Sequence, residues 1–288
     1  MRDYVILTDS GTDLPRDMAK EIGVTVLDLM LLMEGDPTPK PDSTVNHKEF
    51  YDFLRTKKTA TTSAVNPETF SEHMEGFVKQ GLDVLYIGFS SGLSNTYNAG
   101  RIAAQELSEK YPDFKIYACD TLCASLGQGL LVYLAAQKKL AGATIDELCD
   151  FVEQNKLHLC HEFTVDDLMF LKRGGRVSAA TAAIGTMLSI KPVMHVDNEG
   201  HLIKIGTARG RKASIDALFN NLRAKAIDIS EQTVFICHGD CIDDAKYLEK
   251  RLTDELGVKN VFIGYTGVVI GSHSGPGTLA VFYLGTER

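Results

Sequence analysis

The sequence predicts an α/β protein. An N-terminal doubly wound, mostly parallel sheet over residues 1–160 precedes a C-terminal mixed α/β domain over residues 161–288. Three observations predict this. Short apolar runs (Tyr4–Leu7, Val84–Ile87, Lys115–Cys119) alternate with helix-permissive stretches, the pattern of parallel strands joined by crossover helices. Beyond Cys160 the texture changes, and the turn Asp197-Asn198-Glu199-Gly200 between two strand-like runs reads as a hairpin, which brings in an antiparallel component. A length of 288 residues also exceeds what one core easily fills, which favours two domains.

Tyr4–Leu7 is the first buried strand, and it ends in Thr8-Asp9-Ser10-Gly11-Thr12-Asp13-Leu14-Pro15. Asp13 is placed to cap a helix whose first turn takes Pro15 and which stops at Gly23. Val24–Met33 reads as one further strand, and Gly35–Thr44, with three prolines, as an irregular loop. Lys48–Lys57 is a short helix with Phe50, Phe53 and Leu54 on one side. Thr59-Ala60-Thr61-Thr62-Ser63 is a hydroxyl cluster before a helix opened by Pro67. Val84–Ile87 runs into Ser90-Ser91-Gly92-Leu93-Ser94-Asn95-Thr96 and then a helix to Lys110. After Lys115–Cys119 come a helix over Leu126–Leu140 and another opened by the capping box Thr144-x-x-Glu147. In the second half, Val193–Val196, Leu202–Thr207, Thr233–Cys237, Val261–Ile263 and Thr278–Leu284 are strands. Ala179–Leu188, Lys212–Lys225 and Asp243–Leu256 are helices.

A formal charge of −8 argues against general nucleic-acid or anionic-membrane binding, both of which need basic surface. No apolar run is long enough to span a bilayer. Met1-Arg2-Asp3 leads directly into a strand, so no signal peptide is expected. The six scattered cysteines then read as reduced thiols of a cytoplasmic protein.

The loop Ser90–Thr96 lies where an open α/β sheet binds ligands, outside the carboxyl end of a strand and at a helix start. Free N–H groups there favour an anion. With hydroxyls but no lysine or arginine, the loop suits a carboxylate or a single phosphate better than a triphosphate. The same residues fit a helix cap with Ser94 as N-cap. Thr8-Asp9-Ser10, Ser90-Ser91 and Asp120-Thr121 all close strands, and Thr61–Ser63 can join them, so the strand ends favour a converging site. Gly264–Gly277 (GYTGVVIGSHSGPG) sets His273 among small residues that leave room for a ligand. An imidazole that meets a carboxylate has a raised pKa. Lys172-Arg173-Gly174-Gly175-Arg176 is either a solvated corner or a docking patch for an acidic or phosphorylated partner, which Arg209 and Arg211 would extend. Cys237-His238-Gly239-Asp240-Cys241 and Cys119-x-x-x-Cys123 lack the matching pairs of a metal site, so no metal is expected. No P-loop and no G-x-G-x-x-G pattern occurs.

In joint order these pieces resemble the DegV family, which includes the FakB fatty acid-binding proteins of bacterial fatty acid kinases. The resemblance covers essentially the whole chain. It rests on Thr8-Asp9-Ser10, Thr61-Thr62-Ser63, Ser90–Tyr97, Asp166-Asp167-Leu168 with Lys172–Ser178, Lys191-Pro192-Val193, Arg209–Lys212 and His273–Gly277. It implies a non-catalytic carrier with no cofactor. A long-chain fatty acid lies with its acyl chain buried, and its carboxylate is presented to an ATP-using kinase that makes acyl-phosphate for phospholipid synthesis. By position, Thr62 and Ser94, flanked by Thr61 and Ser63, would bind the carboxylate, His273 would complete the hydrogen-bond network, and Arg176 and Arg209 would serve the kinase encounter. Two departures are visible: Asn95 stands where the family has glycine, and Ala64-Val65-Asn66-Pro67 replaces Gln-Pro. The tail is expected in an apolar channel lined by segments such as Ala179–Leu188.

Two other readings stay open on the residues alone. One is a hydrolase or phosphotransferase using Asp9, Ser94 and His273, although the sequence names no clear third member for a serine–histidine pair. The other is a sensor whose ligand tunes a partner contact through the basic turn.

Overall fold

A computed structural model of the chain describes residues 2–183 and 189–288. In chain order the first half holds β1 (Tyr4–Asp9), α1 (Arg16–Glu21), β2 (Val24–Leu27), β3 (Met30–Met33), β4 (Lys40–Pro41), α2 (His47–Arg55), β5 (Ala60–Ser63), α3 (Pro67–Lys79), β6 (Asp83–Gly88), α4 (Thr96–Lys110), β7 (Ile116–Asp120), α5 (Ser125–Leu140) and α6 (Ile145–Asn155). The second half holds β8 (Leu159–Thr164), α7 (Met169–Arg173), α8 (Ala179–Ala183), β9 (Ile190–Val196), β10 (Leu202–Arg209), α9 (Arg211–Lys225), β11 (Thr233–His238), α10 (Ile242–Leu256), β12 (Asn260–Tyr265), α11 (Val268–Ser274) and β13 (Leu279–Leu284).

The first sheet has the order β2-β1-β6-β7, and every pair in it is parallel. Its central strand β6 is buried at every residue, as its unbroken apolar run requires between helices on two faces. A second sheet, β10-β9-β8-β13-β11-β12, is antiparallel except for the β11–β12 pair. The mixed α/β fold class expected from the sequence is therefore the one observed, and the Asp197–Gly200 turn does join the β9–β10 hairpin.

Helix α5 holds the two sheets together. It packs on β8, β11 and β13 of the second sheet and contributes Leu126, Leu130 and Val132 to a core that also contains Ile6 and Leu85 of the first. Gly127 permits this approach: a Cβ there would lie 2.2 Å from Nε2 of His161.

Local signals set several helix starts. The capping box at Thr144 and Glu147 forms as expected. Asn66 caps α3 with Pro67 in the first turn, so the departure from Gln-Pro still opens a helix.

Three expectations, the single Val24–Met33 strand, the irregular Gly35–Thr44 loop and the Asp13 cap, fail for long-range reasons. Val24–Met33 is not one strand. It breaks at Asp28-Leu29, where the Leu29 N–H donates to Ser10 Oγ, and its second half joins a separate antiparallel sheet, β4-β3-β5. The Gly35–Thr44 loop accordingly supplies the short strand β4. Asp13 does not cap α1: it takes φ 52° and turns inward to accept from the Ser125 hydroxyl, and Pro15 occupies the cap position. The helix expected over Ala179–Leu188 is seen as Ala179–Ala183, and its remainder lies outside the described residues.

Candidate functional site

Between the sheets lies a cavity. Most of its wall is apolar. Phe163, Val196, Leu202, Ala280 and Phe282 come from the second sheet, and Phe89, Leu93, Val269 and Ile270 from the loops and helix beside the first. Polar groups gather where Thr62, Ser94, Arg176 and His273 meet the wall.

Thr62 reaches this point because β5 alternates its side chains. Thr62 faces inward opposite buried Leu31, whereas Thr61 and Ser63 are exposed on the other face. Of the Thr61–Ser63 cluster, only Thr62 therefore lines the cavity. Its hydroxyl lies 2.9 Å from Nε2 of His273 on α11. The Nδ1 side of that ring is closed by Gly174, where a Cβ would approach to 2.3 Å. Glycine in the basic turn thus makes room for the imidazole. Burial pushes the His273 pKa down to about 4, and the Arg176 guanidinium adds to the shift. The expectation of a raised pKa depends on a carboxylate beside the ring; in the protein alone the ring is neutral at pH 7.

Ser94 is not the N-cap of α4 that the capping reading expects, but stands one residue before the cap and lines the cavity. Its Oγ accepts from the Thr96 N–H at 3.2 Å and lies 2.9 Å from the Thr96 hydroxyl, so it ties down the start of α4 while lining the cavity. The formal cap is Asn95, with φ −77°, an ordinary conformation for any residue. The glycine of the family pattern is not needed at this backbone, and Asn95 causes no strain.

Arg176 donates through Nε (3.2 Å) and Nη2 (3.1 Å) to the Leu93 carbonyl, and through Nη1 to the Gly174 carbonyl. It is half-buried and fastens the Ser94 loop to the glycine turn. Arg209 ends β10 and is exposed. Arg211 points elsewhere, into Asp244 at 2.8 Å, and does not extend the basic turn.

The strand-end acids and hydroxyls do not converge on the cavity; they bind each other. Asp9 accepts from Tyr86 (2.7 Å), the Phe89 N–H (3.0 Å), the Gly11 N–H (3.0 Å) and Gln128 (3.3 Å). Thr8 and Thr121 donate to the carbonyls of Ile87 and Gly88, both at 2.7 Å. Asp120 takes the Ser91 and Leu122 N–H groups, and Ser90 donates to the Gly200 carbonyl of the β9–β10 hairpin. This is local satisfaction of buried groups, which a hydroxyl-rich loop provides without any ligand. Asp9, Ser94 and His273 form no catalytic set among the described residues, because Asp9 is sealed in its own network and Ser94 is engaged by Thr96.

Several other wall residues carry little signal in the sequence. His161 accepts from the Ala124 N–H at 3.2 Å and donates from Nδ1 to the Leu159 carbonyl at 3.1 Å; burial holds it neutral. Cys237 accepts from the Thr266 hydroxyl at 3.1 Å, and burial pushes its thiol up to about 12, so it is an inert wall residue. Among the described residues no group of three or more His, Cys, Asp and Glu side chains is placed to hold a metal ion. The proposed lining by Ala179–Leu188 falls partly outside the described residues; Ala179 and Ala180 are exposed.

The comparisons with known proteins agree with this architecture. The family model for the uncharacterised DegV family proteins matches residues 3–286. A DegV domain-containing protein of Clostridium perfringens is 49% identical over 289 residues, covering 100% of this chain and 99% of that protein. A Thermus thermophilus structure, described as fatty acid binding of a DegV family protein, superposes with a TM-score of 0.86 at 29% identity, covering 99% of this chain and 100% of that one. A Thermotoga maritima protein whose structure is described as revealing fatty acid binding function gives 0.83 at 28% identity, covering 98% and 99%. With the family pattern running almost from end to end, this chain is a member of the DegV family.

Proposed function

We propose that this protein is a carrier that buries the chain of a long-chain fatty acid between its sheets and holds the carboxylate at Thr62, Ser94 and His273. One observation carries the reading: a mostly apolar cavity wall brings these three side chains and Arg176 together, with Thr62 hydrogen-bonded to His273. The fatty acid-binding relatives from Thermus and Thermotoga support it. Burying roughly 15 methylenes at about 0.8 kcal/mol each gives on the order of 12 kcal/mol of gross driving force. Association and ordering reduce that considerably. A buried carboxylate needs donors, and the Thr62 and Ser94 hydroxyls with the His273 imidazole provide them. Thr61 and Ser63, on the outer face of β5, shape the rim rather than the pocket floor.

On this reading the protein turns over nothing itself. A separate ATP-using kinase supplies the phosphoryl group, and the acyl-phosphate goes to phospholipid synthesis in the cytoplasm. Among the described residues no helix is long and apolar enough to cross a membrane. Exposed Arg209 and the outer side of Arg176 form the kinase contact. The 1–160 unit provides the head-group loops, and the 161–288 unit provides His273 and much of the tail cavity.

Organic extraction of the purified protein followed by mass spectrometry tests the carrier role. Stoichiometric fatty acid is the expected result; an empty protein that hydrolyses acyl esters would replace the carrier with an enzyme. Arg209→Ala should leave lipid content unchanged and slow kinase-dependent phosphorylation about tenfold. Loss of lipid instead would show that Arg209 supports the pocket.

A further inference from the structure

Outside the lipid cavity lies a second hollow. It shares Thr62, Arg176 and His273 with the cavity, so the head-group residues form the partition between the two. Its outer walls are Thr59–Thr62 on one side and Phe170, Arg173 and Gly174 on the other. In a chain of net charge −8, no carboxylate among the described residues lines it, whereas two guanidinium groups do. Among the described residues neither guanidinium has a carboxylate partner. Arg176 is held by the Leu93 and Gly174 carbonyls, and Arg173 lies over the Phe170 ring, with Cζ 4.5 Å from its centre.

The hydroxyls of this hollow differ in availability. Thr59 donates to Glu34 at 2.9 Å, Ser272 to the Val268 carbonyl at 2.7 Å, and Thr62 is paired with His273. Thr61 has no hydrogen-bond partner among the described residues, is exposed and lines the hollow. A fatty carboxylate at Thr62, Ser94 and His273 brings one negative charge to the partition. That leaves Arg173 and Thr61 beyond it, facing space that a carboxylate does not fill. A group bonded to the carboxylate oxygen and projecting outward would enter this space, and the site's charge suits an oxyanion with more than one negative charge.

We infer that the outer hollow is a phosphoryl subsite, which holds the phosphate of an acyl-phosphate with Arg173 and Thr61 as its own contacts and Arg176 between carboxyl and phosphoryl groups. The inference rests on the carrier reading and adds to it a place for the reaction product. In the transfer the carboxylate oxygen attacks the terminal phosphorus of a nucleoside triphosphate held by the partner kinase. The C–O–P linkage forms, the bond from that phosphorus to the bridging oxygen breaks, and the nucleoside diphosphate leaves with the electron pair. The carboxylate has no proton to lose, so this step needs no base from the carrier. What it needs is positive charge beside the new phosphate, and the outer hollow supplies it.

Matched ligands test this: hexadecanoate, and a long-chain β-ketophosphonate as a stable mimic of the acyl-phosphate. Arg173→Gln should weaken phosphonate binding about tenfold or more, as expected for a lost charge-assisted hydrogen bond, and change hexadecanoate binding less than twofold. Thr61→Val should weaken the phosphonate about threefold with hexadecanoate unaffected. In phosphorus NMR, the bound phosphonate should titrate at lower pH in the wild-type protein than in Arg173→Gln. Wild-type protein that binds hexadecanoate but not the phosphonate overturns the inference and leaves the carrier reading standing. Equal losses for both ligands in Arg173→Gln also overturn it. Failure of delipidated wild-type protein to bind hexadecanoate overturns the carrier reading and this inference with it.

Discussion

The hydroxyl of Thr62 stands 2.9 Å from Nε2 of His273, joining side chains 211 positions apart in the chain. An edge strand of the small antiparallel sheet supplies one partner and a seven-residue helix packed against that sheet supplies the other. Neither has its role without the other. Thr62→Val and His273→Gln should each weaken hexadecanoate binding by about tenfold, the value of one or two hydrogen bonds to a charged group. Because the residues touch, the double variant should lose clearly less than the product of the two single losses. Isothermal titration of delipidated protein measures this, and strictly additive losses would mean that the two side chains meet the head group independently.

The same histidine makes binding and stability depend on pH in opposite directions. Its folded pKa of about 4 lies below the ordinary value of 6.5, so as pH falls the unfolded chain takes up the proton first. Stability is therefore full above pH 6.5 and declines as pH falls toward 4, by at most about 3 kcal/mol from this group. A bound carboxylate opposes the effect of burial and raises the pKa. Near pH 6, hexadecanoate binding should take up a proton, visible as binding enthalpies that change with the ionisation enthalpy of the buffer. His273→Gln should abolish the uptake.

Asp13 carries the reverse linkage. Burial raises its carboxyl to about 8, although the Ser125 hydroxyl opposes the shift. Between pH 3.8 and 8 the folded protein keeps a proton that the unfolded chain releases, so stability falls as pH rises through that window and levels off above it. Asp13→Asn keeps the acceptor for Ser125 and removes the linkage. Its advantage over wild type should grow by a few kcal/mol from pH 4 to pH 8 in urea unfolding, within the range that pKa shifts of this size allow.

Arg288 acts as a clamp. Only 9% exposed, it donates to the carbonyls of Leu159 (3.2 Å), Asp197 (2.8 Å), Thr121 (3.3 Å) and Lys156 (2.6 Å) and to Cys123 Sγ (2.9 Å). It therefore fastens the end of the first parallel sheet to the first strand and the hairpin of the second. Arg288→Ala leaves several buried acceptors without donors and should cost about 2–4 kcal/mol in denaturant unfolding. An unchanged transition midpoint would show that water replaces the guanidinium there.

Much of the fold was legible because periodicity is a local property. Unbroken apolar runs become strands buried on both faces, as β6 shows, and the Thr144–Glu147 box opens its helix without reference to anything distant. The hydroxyl-rich strand ends were legible only as chemistry. Thr8, Asp9, Ser90 and Asp120 lie where an α/β sheet places ligands, yet each spends its hydrogen bonds on a neighbouring strand or loop. Nothing in their spacing distinguishes a group that binds a ligand from one that binds a carbonyl 79 or 110 positions away.

By itself, then, the sequence determined the alternation of elements, the ordered set of family motifs and the residue types available for a carboxylate. The tertiary structure alone decided that Val24–Met33 divides between two sheets, that Thr62 turns inward while Thr61 and Ser63 turn out, and that Gly174 leaves room for His273. The physical reason is that propensity and patterning act over a few residues. Which side chains become neighbours depends instead on strand order and on the packing of a shared core, and these exist only once the whole chain has folded.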